Sequence, residues 1–246
     1  MIEVEALTKV YGRLTAVDRL SFAVRPGEVV GLIGPNGAGK TSTLRCLAGI
    51  QAPSAGTARI AGYDVVAQPI EAKRRLAFMP DEPQLFEYLT VAEHLRLVGR
   101  LYNVAGVEDR SRALLEEMDL AGKPHALPSE LSRGMKQKLM IACGLLHDPA
   151  ALLFDEPLTG LDPIGIRRMK ETIVSRARGG ASVLVSSHLL HLVEEICTRI
   201  VIINRGTAIA DGTLEELAAR ADLTADSDLE DVFLKATGHD QGGQAT

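Results

Sequence analysis

The chain has 246 residues, of which 46% are hydrophobic and 24% are charged, and its net charge is -5 at pH 7. This length suits one sizeable domain or two closely joined lobes, and the acidic balance argues against broad electrostatic binding of nucleic acid. The three cysteines form no Cys-x-x-Cys pair, so neither a zinc knuckle nor a disulfide framework is indicated, and a reducing cytoplasm fits best. No stretch approaches eighteen consecutive apolar residues, so we expect no membrane-spanning segment.

The first part of the chain predicts antiparallel strands. Apolar and polar residues alternate in residues 2–5 and again in 20–24, and a turn then precedes an apolar run at 29–33. Residues 57–66 read as a hairpin that returns to the same sheet. A short strand over 76–80 ends at a proline.

The run at 29–33 leads directly into the most informative stretch of the chain. That stretch fits the phosphate-loop pattern G-x-x-x-x-G-K-[ST], in the required position between a strand and a helix, and reads Gly34-Pro35-Asn36-Gly37-Ala38-Gly39-Lys40-Thr41-Ser42. Glycines let backbone N–H groups approach a triphosphate where a Cβ would obstruct it, and the following helix points its N-terminus at the phosphates. Lys40 adds a full charge, and Thr41 is expected to bind Mg2+ through its hydroxyl.

Tyr11 lies in the gap between the first two predicted strands, near the expected phosphate cradle. An aromatic side chain there can stack on adenine, by analogy with bases that stack on aromatic residues. A half-buried loop tyrosine explains the same pattern, so spacing alone leaves both interpretations open.

From about residue 85 to residue 146 the pattern becomes helical. Thr90 and Glu93 form a capping box at the start of a first helix, and a second helix is predicted over 111–120. Ser132 is a suitable N-cap for a third helix, over 133–146.

Strand patterns resume after this helical segment. Continuous apolar runs at 150–155, 182–186 and 200–203, separated by helices, indicate a buried parallel sheet. The helical segment at 85–146 is therefore predicted to be an insertion.

The C-terminal region predicts short helices and then a tail. The helices are expected at 214–220 and 229–236, within residues 213–238, and residues 239–246 read as a flexible polar tail. We predict a single α/β domain over residues 1–238, with a mostly parallel core sheet, an antiparallel β subdomain and an inserted α-helical subdomain.

Asp155 and Glu156 come at the end of the predicted strand at 150–155, at the edge where open α/β sheets bind ligands. Adjacent residues on an extended chain point in different directions, so the two carboxylates can do different work. We expect Asp155 to hold Mg2+ through water, and Glu156 to accept a proton from the attacking water. Without the phosphate loop, a solvated turn at a strand end would be the better explanation.

With these residues in place, the chain resembles the ATP-binding cassette (ABC) family of P-loop NTPases over nearly its whole length. Further motifs stand in the family's order: Leu131-Ser132-Arg133-Gly134-Met135 resembles the signature loop, Leu161-Asp162 the D-loop, and Ser187-His188 the switch histidine. Tyr11 matches the family's adenine-stacking aromatic. The resemblance implies an ATPase that uses ATP and Mg2+, with His188 near the γ-phosphate.

The resemblance also implies partners. ATP would be clamped in a head-to-tail dimer, between residues 34–42 of one copy and Ser132 and Gly134 of the other. Because each motif occurs once, two cassette chains are needed, identical or not. ATP hydrolysis would power a separate polytopic membrane permease, and the chain would sit in the cytoplasm, peripheral on the inner face of the cell membrane. No nucleic-acid partner is expected.

Some positions depart from the family's pattern. Where many relatives carry L-S-G-G-Q, this chain has Arg133 and Met135 in place of a glycine and the glutamine. The family's glutamine in the loop that senses Mg2+ and the membrane partner appears here as Asp81, which when ionised only accepts hydrogen bonds. Gln84 would replace that glutamine only if the loop shifts. These departures, with residues 229–234, resemble cassettes that serve drug-exporter-type (ABC-2) permeases.

Other interpretations remain open on the sequence. His188, His191 and Glu195 fall at i, i+3 and i+7 and would share a helix face as metal ligands. A soluble single-cassette ATPase that acts in the assembly or remodelling of a protein complex needs no permease. A small-molecule kinase would use the same phosphate loop, but it leaves the signature and His188 unexplained.

Overall fold

The structure, a computed structural model, describes residues 1–224 and 227–238. The strands are β1 (Ile2–Tyr11), β2 (Leu14–Val24), β3 (Val29–Ile33), β4 (Ala55–Ile60), β5 (Tyr63–Asp64), β6 (Leu76–Met79), β7 (Ala151–Asp155), β8 (Ser182–Ser186), β9 (Arg199–Asn204) and β10 (Thr207–Gly212). The helices are α1 (Lys40–Leu47), α2 (Pro69–Lys73), α3 (Val91–Leu101), α4 (Val107–Glu117), α5 (Arg133–Leu145), α6 (Pro163–Arg178), α7 (Leu190–Ile196), α8 (Leu214–Arg220) and α9 (Leu229–Thr237). A 3-10 turn, Pro128–Glu130, precedes α5.

A six-stranded sheet in the order β10-β9-β3-β8-β7-β6 forms the centre of the molecule. Its strands are parallel except β10, which pairs with β9 in the antiparallel sense. Every residue of β3, β7 and β8 is buried, which explains why these strands are continuously apolar in sequence. The predicted parallel sheet is confirmed, and β10 is an edge strand that the sequence analysis missed.

A second, four-stranded sheet in the order β2-β1-β4-β5 is antiparallel throughout. This confirms the predicted early strands and the returning hairpin, whose second arm is only two residues long. Helix α1 lies between the two sheets, because Leu44 and Leu47 on it pack in one buried cluster with Leu7 of β1 and Leu32 of β3. The start of α1 is therefore held in place by both sheets.

Helices α3, α4 and α5 lie between β6 and β7 in the chain, as predicted for an insertion. Thr90 and Glu93 form the expected capping box. The helix predicted over 111–120 was placed too late, because Gly106, with a φ of 64°, provides an N-cap that allows α4 to begin at Val107.

The C-terminal helices α8 and α9 confirm the predicted pair, and they pack with β9 and α7 in a separate apolar cluster. The tail predicted over 239–246 lies outside the described residues. Among residues 1–224 and 227–238, we find no helix with the length and apolar character needed to cross a bilayer.

Candidate active site

The phosphate loop connects the central strand to the buried helix between the sheets, because β3 ends at Ile33 and α1 begins at Lys40. The N-cap of α1 is Gly39, which has a φ of 106° and no side chain with which to cap the helix. The first turn, Lys40 to Thr43, carries a cation and hydroxyl groups. The backbone N–H groups at this end have no capping side chain and are available to bind an anion. The helix dipole also favours a negative charge there.

A pocket of about 640 Å³ opens over this helix start, a volume in the usual range of small-molecule sites. Its lining draws on separate segments of the chain: Tyr11, Leu14, Ala16, Asn36, Gly37, Ala38, Gly39, Lys40, Thr41, Ser42, Asp81, Asp155, Glu156, Thr159 and His188. Most of the residues predicted from the sequence thus line one cavity. Those placed outside its lining are Gly34, Pro35, Ser132, Gly134 and Asp162.

Two glycines of the phosphate loop are required because backbone atoms of the same chain lie against them. A Cβ at Gly34 would lie 2.2 Å from the carbonyl oxygen of Ile203, and one at Gly39 would lie 2.4 Å from that of Ala16. Gly37 has a φ of 80°, which side chains disfavour, but open space surrounds it. The sequence analysis attributed all these glycines to the approach of the anion, whereas at Gly34 and Gly39 the close neighbour is backbone.

Lys40 is buried within the loop, with 8% of its surface exposed. Its Nζ donates hydrogen bonds to the carbonyl oxygens of Gly34, at 2.6 Å, and Pro35, at 3.2 Å. Burial lowers the pKa of Lys40, and the nearby carboxylates of Glu156 and Asp155 oppose that change. The loop therefore holds a cation close to the acidic pair.

Asp155 is the last residue of β7 and is 5% exposed. Burial is the main cause that raises its pKa; the hydroxyls of Thr41 and Ser186 act against this, and the charges of Glu156 and Asp81 add to it. Glu156, the next residue, has a φ of 53°. The assumption that the chain is extended through both carboxylates is corrected, because the backbone turns into the left-handed region at Glu156.

The carboxylate of Glu156 is fixed by the segment after β8. Its Oε2 accepts hydrogen bonds from Ser187 Oγ at 3.2 Å and from the backbone N–H of His188 at 3.3 Å, and it lies 2.8 Å from His188 Nδ1. Ser187 is 2% exposed. The sequence analysis gave Ser187 no role, and the only available signal was its place beside His188 at a strand end.

Tyr11 ends β1 rather than lying in a loop, and it lines the mouth of the pocket. Its hydroxyl donates to Gln51 Oε1, and Lys9 Nζ lies 5.0 Å from the centre of its ring. These contacts hold the ring in place while 38% of the residue stays exposed. The position is compatible with stacking on a base.

The pocket fits Mg2+ better than a metal bound by histidine. Thr41 and Asp155 both line it and offer a hydroxyl and a carboxylate, the oxygen ligands that Mg2+ prefers. In the part of the chain that the structure describes, no group of three or more His, Cys, Asp or Glu side chains is arranged to hold a metal ion. The alternative of a metal site at His188, His191 and Glu195 is therefore wrong, and Glu195 instead pairs with Lys170.

The signature residues lie outside this pocket. Ser132 is exposed and caps α5, since its Oγ accepts a hydrogen bond from the backbone N–H of Met135 at 3.3 Å. Gly134 packs on the loop before α6, where a Cβ would lie 2.8 Å from the carbonyl oxygen of Gly160. Asp162 caps α6 through a 2.7 Å hydrogen bond from the backbone N–H of Gly165.

Asp81 reaches the pocket and Gln84 does not. Asp81 lines the cavity, and its Oδ1 lies 3.4 Å from Arg133 Nη2. The side-chain amide of Gln84 instead donates to the carbonyl oxygen of Glu82 at 3.4 Å. Of these two side chains, the structure therefore brings Asp81 and not Gln84 to the pocket.

Known proteins resemble this chain in both sequence and fold. Residues 17–159 match the family model described as ABC transporter. The chain is 36% identical over 244 residues to the ABC-type transporter ATP-binding protein EcsA of Bacillus subtilis, with 98% of each chain covered. It is 41% identical over 220 residues to the Nod factor export ATP-binding protein I of Paraburkholderia xenovorans, with 89% of this chain and 72% of that protein covered. A solved structure of an ATP-binding subunit of an ABC transporter superposes with a TM-score of 0.92 at 35% identity, covering 96% of this chain and 99% of that chain.

Proposed function

The chain belongs to the ABC transporter family, and on this premise we propose that it is the ATP-hydrolysing subunit of an exporter, which drives a separate membrane permease. ATP hydrolysis is the activity of the family. The observation that carries the proposal is the single pocket in which the phosphate loop, Asp155, Glu156 and His188 meet. The exporter assignment is supported by similarity to a Nod factor export protein and by the departures at Arg133 and Asp81.

The nucleotide is held mainly by its phosphates. The uncapped N-terminus of α1 and the buried ammonium of Lys40 supply donors and positive charge, and Tyr11 stands at the mouth of the pocket to stack on the adenine. Thr41 and Asp155 would hold Mg2+, which neutralises charge on the phosphates when bound. The deep burial of Asp155 keeps that carboxylate in one place.

Glu156 is assigned as the base that takes a proton from the attacking water. Ser187 and His188 both contact its Oε2, so that oxygen is already engaged and we assign the proton to Oε1. His188, 59% exposed in its side chain, lies at the open side of the pocket where the γ-phosphate would be. Ser187 is a positioning residue that orients the carboxylate.

A second cassette is needed to complete the site. The pocket is lined by the phosphate loop and the carboxylates of this chain, while Ser132 and Gly134 lie outside it on an exposed turn. The exposed start of α5 suits a contact with ATP held by another copy, in which the turn covers the γ-phosphate. We assign ATP the role of holding the two cassettes together.

The membrane permease is the proposed second partner. Large apolar side chains are exposed in the segment before α3, where Phe86 is 62% and Tyr88 is 88% exposed. Exposed aromatic residues of this kind are characteristic of protein contacts. We place the chain in the cytoplasm, on the inner face of the cell membrane, through that contact.

The substitution Glu156→Gln tests the enzymatic part of the proposal. Hydrolysis should slow by ~10²-fold or more, the usual contribution of a general base, while ATP binding is retained. With ATP, the variant should form a stable dimer that light scattering detects. Glu171→Gln, at an exposed ion pair on α6, is the matched control and should behave as the parent protein. Unchanged turnover in Glu156→Gln would remove the residue from this role, and a monomer with ATP would refute the shared site.

Recovery of partners from detergent-solubilised membranes tests the transport part. A polytopic membrane protein should co-purify with the chain. If only water-soluble partners are recovered, the exporter assignment fails in favour of a soluble cassette that assembles or remodels a protein complex.

A further inference from the structure

Two of the three positions that depart from the pattern of the resembled family, Arg133 and Asp81, meet in the structure. Arg133, in the signature turn, and Asp81, after β6, are 52 residues apart in sequence, yet Arg133 Nη2 donates to Asp81 Oδ1 at 3.4 Å. A neutral side chain at either position could form no such ion pair. The two departures are therefore complementary in charge.

The start of α5 lacks an acidic residue of its own. Its first turn reads Arg133-Gly134-Met135-Lys136, which adds positive charge to the positive end of the helix dipole. Asp81 supplies the missing negative charge from another loop. The side chain of Arg133 also packs against Gly160. The Cδ of Arg133 lies 3.2 Å from the position that a Cβ at residue 160 would take, so a larger residue there would crowd the arginine.

Asp81 connects this ion pair to the nucleotide pocket. It lines the cavity together with Asp155 and Glu156, so its charge falls within the field that ATP meets. Three carboxylates around one pocket repel a triphosphate, and at the phosphate loop Lys40 and the positive end of the α1 dipole oppose that repulsion. The position and charge of Asp81 therefore matter for nucleotide affinity.

We propose that Arg133 is a positioning residue that holds Asp81 at the rim of its own chain's pocket and offsets its charge, so that the pocket accepts ATP despite a third carboxylate in its lining. The inference rests on the proposed function only in taking this pocket as the ATP site. It concerns the chain's own pocket, separately from the contact of Ser132 with ATP on a second copy.

A double-mutant cycle with Arg133→Gln, Asp81→Asn and the double variant tests the proposal. ATP binding is measured without Mg2+ and at low salt, by the fluorescence of a labelled ATP. Arg133→Gln should weaken ATP binding by about 1.5- to 5-fold, the range of exposed ion pairs, since the side chains are 59% and 49% exposed. In the Asp81→Asn background the same substitution should have little effect. Arg112→Gln, which breaks an exposed ion pair with Asp109 on α4, is the matched control and should leave affinity unchanged.

The Mg2+ requirement provides a readout that a purely structural role would not produce. An uncompensated Asp81 attracts a cation as it repels an anion, so Arg133→Gln should lower the Mg2+ concentration for half-maximal hydrolysis while it raises the Kd for ATP. If Arg133→Gln unfolds the chain, Arg133→Lys keeps the charge and should retain most of the affinity. The proposal would be overturned if Arg133→Gln weakened ATP binding equally in the parent chain and in the Asp81→Asn variant. Arg133 would then act on ATP directly and not through Asp81. Failure of the parent chain to bind ATP would instead refute the proposed function.

Discussion

Both α1 and α5 begin with a basic residue, Lys40 in the first and Arg133 in the second, but the surroundings of the two helix starts differ. Lys40 is buried and donates to carbonyl oxygens of its own loop, whereas Arg133 is exposed and pairs with a carboxylate from another loop. The N-cap of α1 is Gly39, which has no capping side chain, while Ser132 caps α5. The first helix start therefore keeps its donors free for a ligand, and the second is already partly satisfied.

This difference shows how one kind of element can serve both halves of the proposed shared site. The free N–H groups at the start of α1 are suited to bind a phosphate. Ser132 accepts a hydrogen bond from Met135, and a hydroxyl that accepts a bond still has its own hydrogen to donate. The start of α5 can thus be stable alone and still contact a phosphate that another chain brings.

The largest expected effect is at the buried lysine. Lys40→Ala should raise the Kd for ATP by about 30-fold or more, the loss typical of removing a buried hydrogen-bonded charge. Calorimetric titration of the single chain with ATP measures it. Lys136→Ala removes the same charge from the first turn of α5 and should change that Kd little. Equal losses in the two variants would abolish the distinction between the helix starts.

An intermediate effect is expected at the capping serine. Ser132→Ala should lower the Tm by roughly 1 to 8 °C, since loss of an N-cap costs about 0.5 to 2 kcal/mol. Ser132→Asp keeps an acceptor for the cap but has no hydrogen to donate when ionised. It should therefore retain the Tm of the parent yet fail to dimerise with ATP when combined with Glu156→Gln. Dimerisation of that double variant would show that Ser132 serves only its own helix.

The smallest effect concerns the other end of α5. His147 follows that helix, stacks on Tyr102 at 3.8 Å between ring centres and lies 3.2 Å from the carbonyl oxygen of Leu76, so it links the inserted helices to β6. Burial lowers the pKa of His147, although the hydrogen bond to Leu76 and the charge of Asp148 oppose it. Below the unfolded-state pKa of about 6.5, the unfolded chain binds more protons than the folded one, so stability should fall with decreasing pH.

Thermal unfolding between pH 5 and 8 measures this dependence. His147→Phe keeps a ring for Tyr102 but cannot be protonated, and it should therefore make the acid-induced fall in Tm smaller. His125→Gln, at an exposed histidine, is the control and should leave the profile unchanged. An unaltered profile in His147→Phe would place the acid sensitivity elsewhere in the molecule.

The sequence predicted the features whose signal is local. The phosphate loop, the capping box of Thr90 and Glu93, and the buried strands each occupy one short segment, and their residue types follow from the backbone conformation or burial of that segment. The predicted start of α4 was too late because the left-handed N-cap at Gly106 has no strong sequence signal. The edge strand β10 was missed because it is only partly buried and so has no continuous apolar run.

Local sequence patterns did not predict contacts between segments that are distant in the chain. The departures at Arg133 and Asp81 were visible separately, but their pairing depends on how the inserted helices pack against the sheet. Ser187 contacts Glu156 only because β7 and β8 are neighbours in the sheet. The sequence thus predicted which residues are chemically capable, and the fold determined which of them act together.

The backbone at Glu156 has one more consequence. A residue with a side chain at a φ of 53° is strained by about 1 to 3 kcal/mol relative to glycine, and here the strained residue carries the carboxylate assigned to the reaction. Glycine at this turn would relieve that strain but would remove the carboxylate proposed as the base. Durability and activity are therefore directly opposed at this one position, which makes it a poor target for stabilising substitutions.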